Sequence, residues 1–413
     1  MVRYFYIWIP GVALSAVLLF IVPFLGLITA VVFAVGAVTA LGMFVWRIVA
    51  ARDESVRDVL RPQPHWDDAA HRAGAAPAIS HRENAYGGLP AHPRTGTALE
   101  HPTGVTTSPW PALPYDAWSA TCETLHAHTQ VLGKLAVVLA LPEPQLQHAA
   151  LRLTARGWET APLPAPDGSG AFGVALDLRA HEALVEHVDG RVKRVALTPD
   201  RPVADVTQDI LKAVGELVGE VQINLKPQET SWQTSLDEDM EHATYEPAAV
   251  ERYFFSAIRA ALVLSEFRAP YRGRSTPVNA WWGSFDLAVN LFSGQPAEPP
   301  SQDFLMRNAM DAQEIAVGWW PGNANYPRAA FYAYAHPSPD GFADADLSPG
   351  RWDANLAEFV LDWDAVLTTP DPHATALRFA SSVTRHACAV CKWDQTLANS
   401  LEGQPPPIVA IGR

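Results

Sequence analysis

Positive charge is in short supply in this chain: 30 Lys and Arg stand against 44 Asp and Glu, and only five of those 30 are lysines. The formal net charge of -14 repels a phosphate backbone and an anionic lipid surface alike. Nucleic acid is thereby excluded as a partner. Cysteine is scarcer still, with 3 residues, Cys122, Cys388 and Cys391. An oxidised secreted scaffold would carry many pairs, so the soluble part reads as reduced and cytoplasmic. The richness in Ala, Arg and Pro suggests a bacterial source. No Gly-rich phosphate loop or dinucleotide fingerprint occurs, and no cofactor is expected.

What charge there is avoids the N-terminus. From Tyr4 to Trp46 the chain is apolar and without a single charged residue. A helix crosses the hydrocarbon with roughly 20 apolar residues, and the break from Pro23 to Gly26 divides this run into two segments of about that length. The expectation is a transmembrane helical hairpin within residues 1–55, its helices running from Tyr6 to Ile21 and from Leu27 to Val49. Tyr4, Tyr6, Trp8 and Trp46 suit the membrane interfaces. Arg3, Arg47 and Arg52 outside both ends direct those ends to the cytoplasm. The lipid bilayer is therefore an expected partner through residues 4–50, at the bacterial inner membrane with the soluble domain on the cytoplasmic side. A cleaved signal peptide would have a shorter apolar region of about 7 to 15 residues and a small-residue cleavage site.

Residues 56–109 read as a linker rich in Pro and His. Prolines recur from Pro62 to Pro109, Gly87-Gly88 interrupts them, and no hydrophobic periodicity is present. Disordered, roughly 45 such residues reach on the order of 35 to 40 Å. His65, His71, His81, His92 and His101 are irregularly spaced, with no cysteine or carboxylate placed to complete a metal site, and read as solvated.

With 48% hydrophobic residues in 413, the remainder can bury a large core. A globular α+β domain is expected over 110–396, in two related halves, 110–225 and 240–396, each an antiparallel sheet flanked by helices. A flexible tail is expected from 397 to 413. In the first half a helix carries Trp118, Cys122, Leu125 and Thr129, with Gly133 as its stop. Strand-like runs follow at 148–157 and 171–180. Asp189-Gly190 then joins "ALVEHV" to "RVKRVAL", a strong hairpin signal. Val203, Val206, Ile210, Val214 and Leu217 mark an amphipathic helix. The second half repeats the plan. Its helix starts at Pro247, with Val250, Phe254, Ile258, Ala261 and Leu262 on one face. The runs "NAWWGSFDLAVNLFSG", "EIAVGWWPG", "AAFYAYAHP" and "EFVLDWDAVL" have strand length, and a last helix spans Pro372 to Trp393. Gly133-Lys134 and Gly273-Arg274 fall at matching places between helix and first strand, a weak sign of duplication.

Several uncommon strings, "WPALPYDAW", "TLHAHTQVLGK", "LTARG", "LDEDMEHATYEP", "WWGSFDLAVNLFSG", "GWWPG" and "FYAYAHPSPDGF", occur in the order found in the bacterial domain of unknown function 5996. The chain resembles that family over about residues 108 to 396. The resemblance brings no established activity. It implies Gly-Lys where this chain has Gly273-Arg274, His in place of Asn279, and His-Glu in place of Gln313-Glu314. A role for those histidines in relatives would be lost here. The N-terminal hairpin is no part of the family pattern.

Residues 279–294, read as one strand, place Asn279, Trp281, Phe285, Leu287 and Val289 on one face and Trp282, Ser284, Asp286 and Ala288 on the other. Two readings are open. Ser284 and Asp286 bond to neighbouring loops in an ordinary core strand. Alternatively they form, with Trp282, Glu314 and Trp320, the floor of a small-molecule pocket, with Asn279 counted among its ligand-binding residues. Lys134, Arg156 and Arg274 at its rim would then favour a small anionic ligand.

Other constellations are weaker. Ser284, Asp286 and His336 have the residue types of a hydrolase triad without a nucleophile elbow. Cys388 and Cys391 fall on a helical pattern and read as core. Asp237, Asp239 and His242 read as an acidic turn rather than a metal site. Two functions remain: a membrane-anchored small-molecule-binding or interaction module, and an enzyme acting on a small anionic metabolite through Asp286 and Glu314 as acid and base.

Overall fold

The computed structural model describes residues 110–401 and 403. The expected N-terminal hairpin, the expected linker and most of the expected tail lie outside the described residues. Among the described residues no helix is long and apolar enough to cross a membrane.

The first sheet is built from β1 (Arg152–Leu153), β2 (Gly157–Glu159), β3 (Leu163–Pro164), β4 (Ala171–Asp177), β5 (Glu182–His187) and β6 (Val192–Ala196). Its pairs are antiparallel, in the order β1-β2-β4-β5-β6 with β3 beside β4. The β5–β6 hairpin turns at Asp189-Gly190 as expected, where Gly190 takes a φ of 92° that suits glycine. Helices α1 (Ser119–Leu139) and α2 (Val203–Val218) cover this sheet. All five apolar residues expected on the inner face of α2 are buried.

The second sheet contains β7 (Asn279–Trp281), β8 (Asp286–Pro296), β9 (Ala312–Trp320), β10 (Ala330–His336), β11 (Arg351–Asp353) and β12 (Glu358–Asp362), with α4 (Phe304–Ala309) between β8 and β9. Its order is β11-β12-β10-β9-β8-β7. Its inner face, with Leu287, Val289, Val317, Trp319, Phe331 and Phe359, packs on α3 (Pro247–Arg268) and α6 (Pro372–Val390). Two antiparallel sheets flanked by helices thus make an α+β fold. Reciprocal backbone hydrogen bonds between Leu151 and Ala280, of 3.0 and 2.9 Å, join the sheets edge to edge.

Several local expectations need correction. Gly133 does not end the first helix, which runs on to Leu139; a Cβ at Gly133 would collide with the Trp282 indole. Glycine is there for close approach, and the match with Gly273-Arg274 falls away. The stretch 279–294 is a hairpin, not one strand. Trp282 to Phe285 form its turn, with Phe285 at a φ of 58°, so Trp281 pairs with Asp286 and Asn279 with Ala288. Asn279 therefore shares a face with Asp286, opposite to the expectation. On α3 the buried stripe is Val250, Tyr253, Phe254, Ala257, Ala260 and Leu264, whereas Leu262 is 53% exposed. The run "EFVLDWDAVL" leaves the sheet at Asp362 and continues as α5 (Trp363–Leu367). A further helix, α7 (Gln395–Ser400), occupies the first part of the expected tail.

Between the halves, Phe285 stacks on Trp158 at 5.2 Å, on Tyr253 at 5.1 Å and on His126 at 5.0 Å. The Trp158 indole donates to the Tyr253 hydroxyl at 3.1 Å. His126 Nε2 lies 3.0 and 2.9 Å from the carbonyls of Trp282 and Gly283, and so ties α1 to the β7–β8 turn.

Candidate functional site

Pairing in the second sheet fixes which residues share its outer face. Ala288 and Tyr332 both pair with Gly318, and Asn290 and Tyr334 both pair with Ala316. The outer face thus carries Asp286, Ala288 and Asn290 from β8, Glu314 and Trp320 from β9, Tyr332 and Tyr334 from β10, and Glu358 from β12. These residues line a cavity of about 420 Å³. Its cover comes from the 3-10 turn Pro144–Ala149, from Leu305, Met306 and Met310 on and after α4, from the loop at Asn323 to Tyr326, and from Glu229.

Of the nine residues selected from sequence, five line this cavity: Trp282, Ser284, Asp286, Glu314 and Trp320. The other four do not. Lys134 is buried inside α1, where its ammonium donates to the Lys226 carbonyl at 2.7 Å and to Gln228 Oε1 at 3.1 Å, 5.3 Å from the Trp282 ring centroid. Burial lowers its pKa to about 7. Arg156 pairs with Glu186 on the first sheet at 2.7 Å. Arg274 lies 3.6 Å over the Phe292 ring and donates to Gln145 Oε1 at 2.6 Å, just behind the cavity wall. Asn279 accepts from Arg152 and donates to Gln147 Oε1 at 2.9 Å. Of the three cations that suggested an anionic ligand, Lys134 and Arg156 are thus engaged elsewhere, while Arg274, behind the wall, still acts on Glu314.

Sequence reading missed Glu229, Asn290, Tyr332, Tyr334 and Glu358. The two tyrosines alternate with Phe331 and Ala333 in "AFYAYAH", a period-two signal that places them on the face opposite the core. Glu229 has no such signal, because it comes from an irregular connection between the halves.

The site is dominated by carboxylates. Asp286 accepts from Ser284 Oγ at 2.5 Å and from the Tyr332 hydroxyl. Burial nevertheless raises its pKa to about 6. Glu314 is raised to about 7 by burial, against opposing hydrogen bonds from Asn290 and Tyr334, the latter at 3.4 Å, and the positive charge of Arg274. Glu358 is raised to about 7 by burial and by the like charges of Asp286 and Asp353. Burial and Asp286 also raise Glu229, but this residue is exposed overall, and solvent at the mouth moderates the effect. Asn290, 9% exposed, leaves its Oδ1 without a hydrogen-bond partner. The rings of Tyr332 and Tyr334 stack 6.3 Å apart with 6° between their planes, and Trp320 meets Tyr332 edge-on at 5.2 Å. The lining is thus rich in acceptors and aromatic surface, and its hydroxyl donors are already engaged.

The remaining constellations are structural. His336 Nε2 donates to the Glu298 carbonyl at 3.1 Å, so Ser284, Asp286 and His336 form no triad. Asp239 accepts from the backbone of Glu241 and His242 and lies 2.6 Å from His242 Nδ1, which closes the acidic turn on itself. Cys388 is buried in α6 and Cys391 half-buried at its end, both as free thiols.

No curated protein and no solved structure matches the chain. Over residues 110–400 it matches the model of a family of unknown function, DUF5996, and the chain belongs to that family.

Proposed function

We propose that the protein is a membrane-anchored binding module whose outer-face cavity holds a small molecule bearing positive charge or several hydrogen-bond donors. The observation that carries this reading is the lining itself: Asp286, Glu314, Glu358 and Glu229 converge on one cavity with no lysine or arginine among its lining residues. An anion would be repelled there, while a donor or cation finds unfilled acceptors in an apolar, aromatic enclosure. Anchoring rests on the apolar run of residues 4–50 and its arginine flanks, with the linker 56–109 holding the domain on the cytoplasmic side.

Thermal scans of the full chain in mild detergent, against small amines, neutral polyols, carboxylates and phosphates, test the cavity. Stabilisation by amines or polyols is expected; stabilisation by carboxylates and phosphates alone would overturn the reading. A reporter fused after Arg52 and active only outside the cytoplasm would overturn the topology.

A second reading, an enzyme, is favoured by one observation. Asp286 and Glu314 titrate at about 6 and about 7, near neutrality, and each is hydrogen-bonded to a tyrosine. Such carboxyls can pass a proton in either direction. Glu314→Gln that abolishes turnover of a bound compound without weakening its binding would favour catalysis.

A further inference from the structure

We infer that the ligand is a linear aliphatic di- or polyamine, laid along the strands with one ammonium at Asp286 and another at Glu314. The inference rests on the cation-binding reading above and names the class of cation.

The two carboxylates stand at opposite ends of the floor. Glu314 pairs with Phe292, six residues along β8 from Asp286. Each is held by its own tyrosine, Asp286 by Tyr332 and Glu314 by Tyr334, and those rings stack in parallel 6.3 Å apart. Adding a hydrogen-bond length at each end puts the carboxylates up to roughly 12 Å apart. One ammonium cannot serve both. A chain of about eight atoms between two ammonium groups can, since extended backbones of such length span that gap.

The middle of the floor fits the rest of such a molecule. The parallel tyrosine rings offer a flat apolar bed, and Leu305, Met306 and Met310 cover it from above. Methylene groups suit both surfaces. Between the ends lies the unpartnered Asn290 Oδ1, nine-tenths buried and lining the cavity. A secondary amine in the chain would supply the missing donor. Trp320, which also lines the cavity, adds aromatic surface. The cavity of about 420 Å³ is of the size that encloses small ligands.

The test is calorimetric titration of the full chain in detergent with spermidine, 1,8-diaminooctane, octylamine and 1,8-octanediol. Both amines with two charged ends should bind at least tenfold tighter than octylamine, and octanediol should bind weakest. Across diaminoalkanes of four to twelve carbons, affinity should peak near eight. Glu314→Gln should bring 1,8-diaminooctane within about twofold of octylamine. Asn290→Ala should weaken spermidine more than 1,8-diaminooctane, since both lose the Asn290 bond that holds Glu314 but only spermidine loses an acceptor for its secondary amine. Octylamine binding as tightly as the diamine, or affinity rising steadily with chain length, overturns the dication while leaving a single-cation site intact. Failure of every amine to bind overturns both. Should Glu314→Gln not fold, the length series on the wild type decides alone.

Discussion

The hydroxyl of Tyr332 on β10 donates to the carboxylate of Asp286 on β8, although β9 lies between the two strands. The reach is open because the intervening position on β9 is Gly318, where a Cβ would collide with the Tyr332 ring. Three strands therefore cooperate in one contact: β8 supplies the acid, β10 the donor and β9 the absence of a side chain.

Gly318→Ala should displace Tyr332 and leave the buried Asp286 short of a donor, at a cost of roughly 1 to 3 kcal/mol. Amine binding should fall with it. Gly283→Ala is the contrast, since its added methyl meets the flexible end of Glu229. That variant should lose under about 1 kcal/mol. Thermal unfolding of both variants separates the two cases, and equal losses would contradict the arrangement.

The carboxyls make stability depend on pH in a defined direction. In the folded protein Asp286 keeps its proton to about pH 6 and Glu314 to about pH 7. In the unfolded chain both release it near pH 4. The folded state thus binds more protons in that window, and the stability these groups contribute is full below about pH 4 and lost as pH rises through 6 and 7. His126 and His128, lowered by burial to about 4 and about 3, act oppositely and remove stability as pH falls below about 6.5. The measurement is therefore a difference between wild type and Asp286→Asn/Glu314→Gln. The wild type should lose stability relative to the variant between pH 4.5 and 7.5, by a few kcal/mol. A flat difference would show both groups ionising normally. Amine binding should strengthen over the same range, with protons released.

Gly133→Ala should destabilise the protein, although Ala in place of Gly inside a helix ordinarily stabilises by about 1 kcal/mol. The added methyl would push the Trp282 indole out of its seat on α1, and with it the indole's 3.0 Å bond to the Ala149 carbonyl. Trp282→Ala should cost about 3 to 5 kcal/mol. A stabilised Gly133→Ala would refute the seating argument.

Arg156→Ala should change little. Its partner Glu186 is equally solvent-accessible, and exposed pairs contribute about 0 to 1 kcal/mol. Amine binding should be unaffected. A variant that lost binding would put the ligand on the first sheet.

How far the sequence reaches follows from the range of the forces that it records. Local patterns were legible where one residue stretch fixed its own structure. Asp189-Gly190 set a hairpin by its left-handed turn, Pro247 opened a helix that needs no donor there, and the apolar spacing from Val203 to Leu217 specified a buried stripe. These are enough to give an α+β fold. They also put Asp286 and Glu314 among candidate site residues, since a carboxylate beside aromatics in a strand is out of place in a core.

The rest was decided only by strands and helices meeting. Gly133 looks like a helix stop in sequence; across the fold it is the gap that Trp282 fills. Lys134 and Arg274 look like free cations until Gln228, the Lys226 carbonyl, Phe292 and Gln145 arrive from distant segments to engage them. The reversal of the chain at Trp282 to Phe285 changed which residues share a face, because side chains alternate and a turn resets the alternation. The sign of the site followed from that. Sequence alone determined that acids and aromatics were present; the register of β8, β9, β10 and β12 put them on one open face and left the cations behind it.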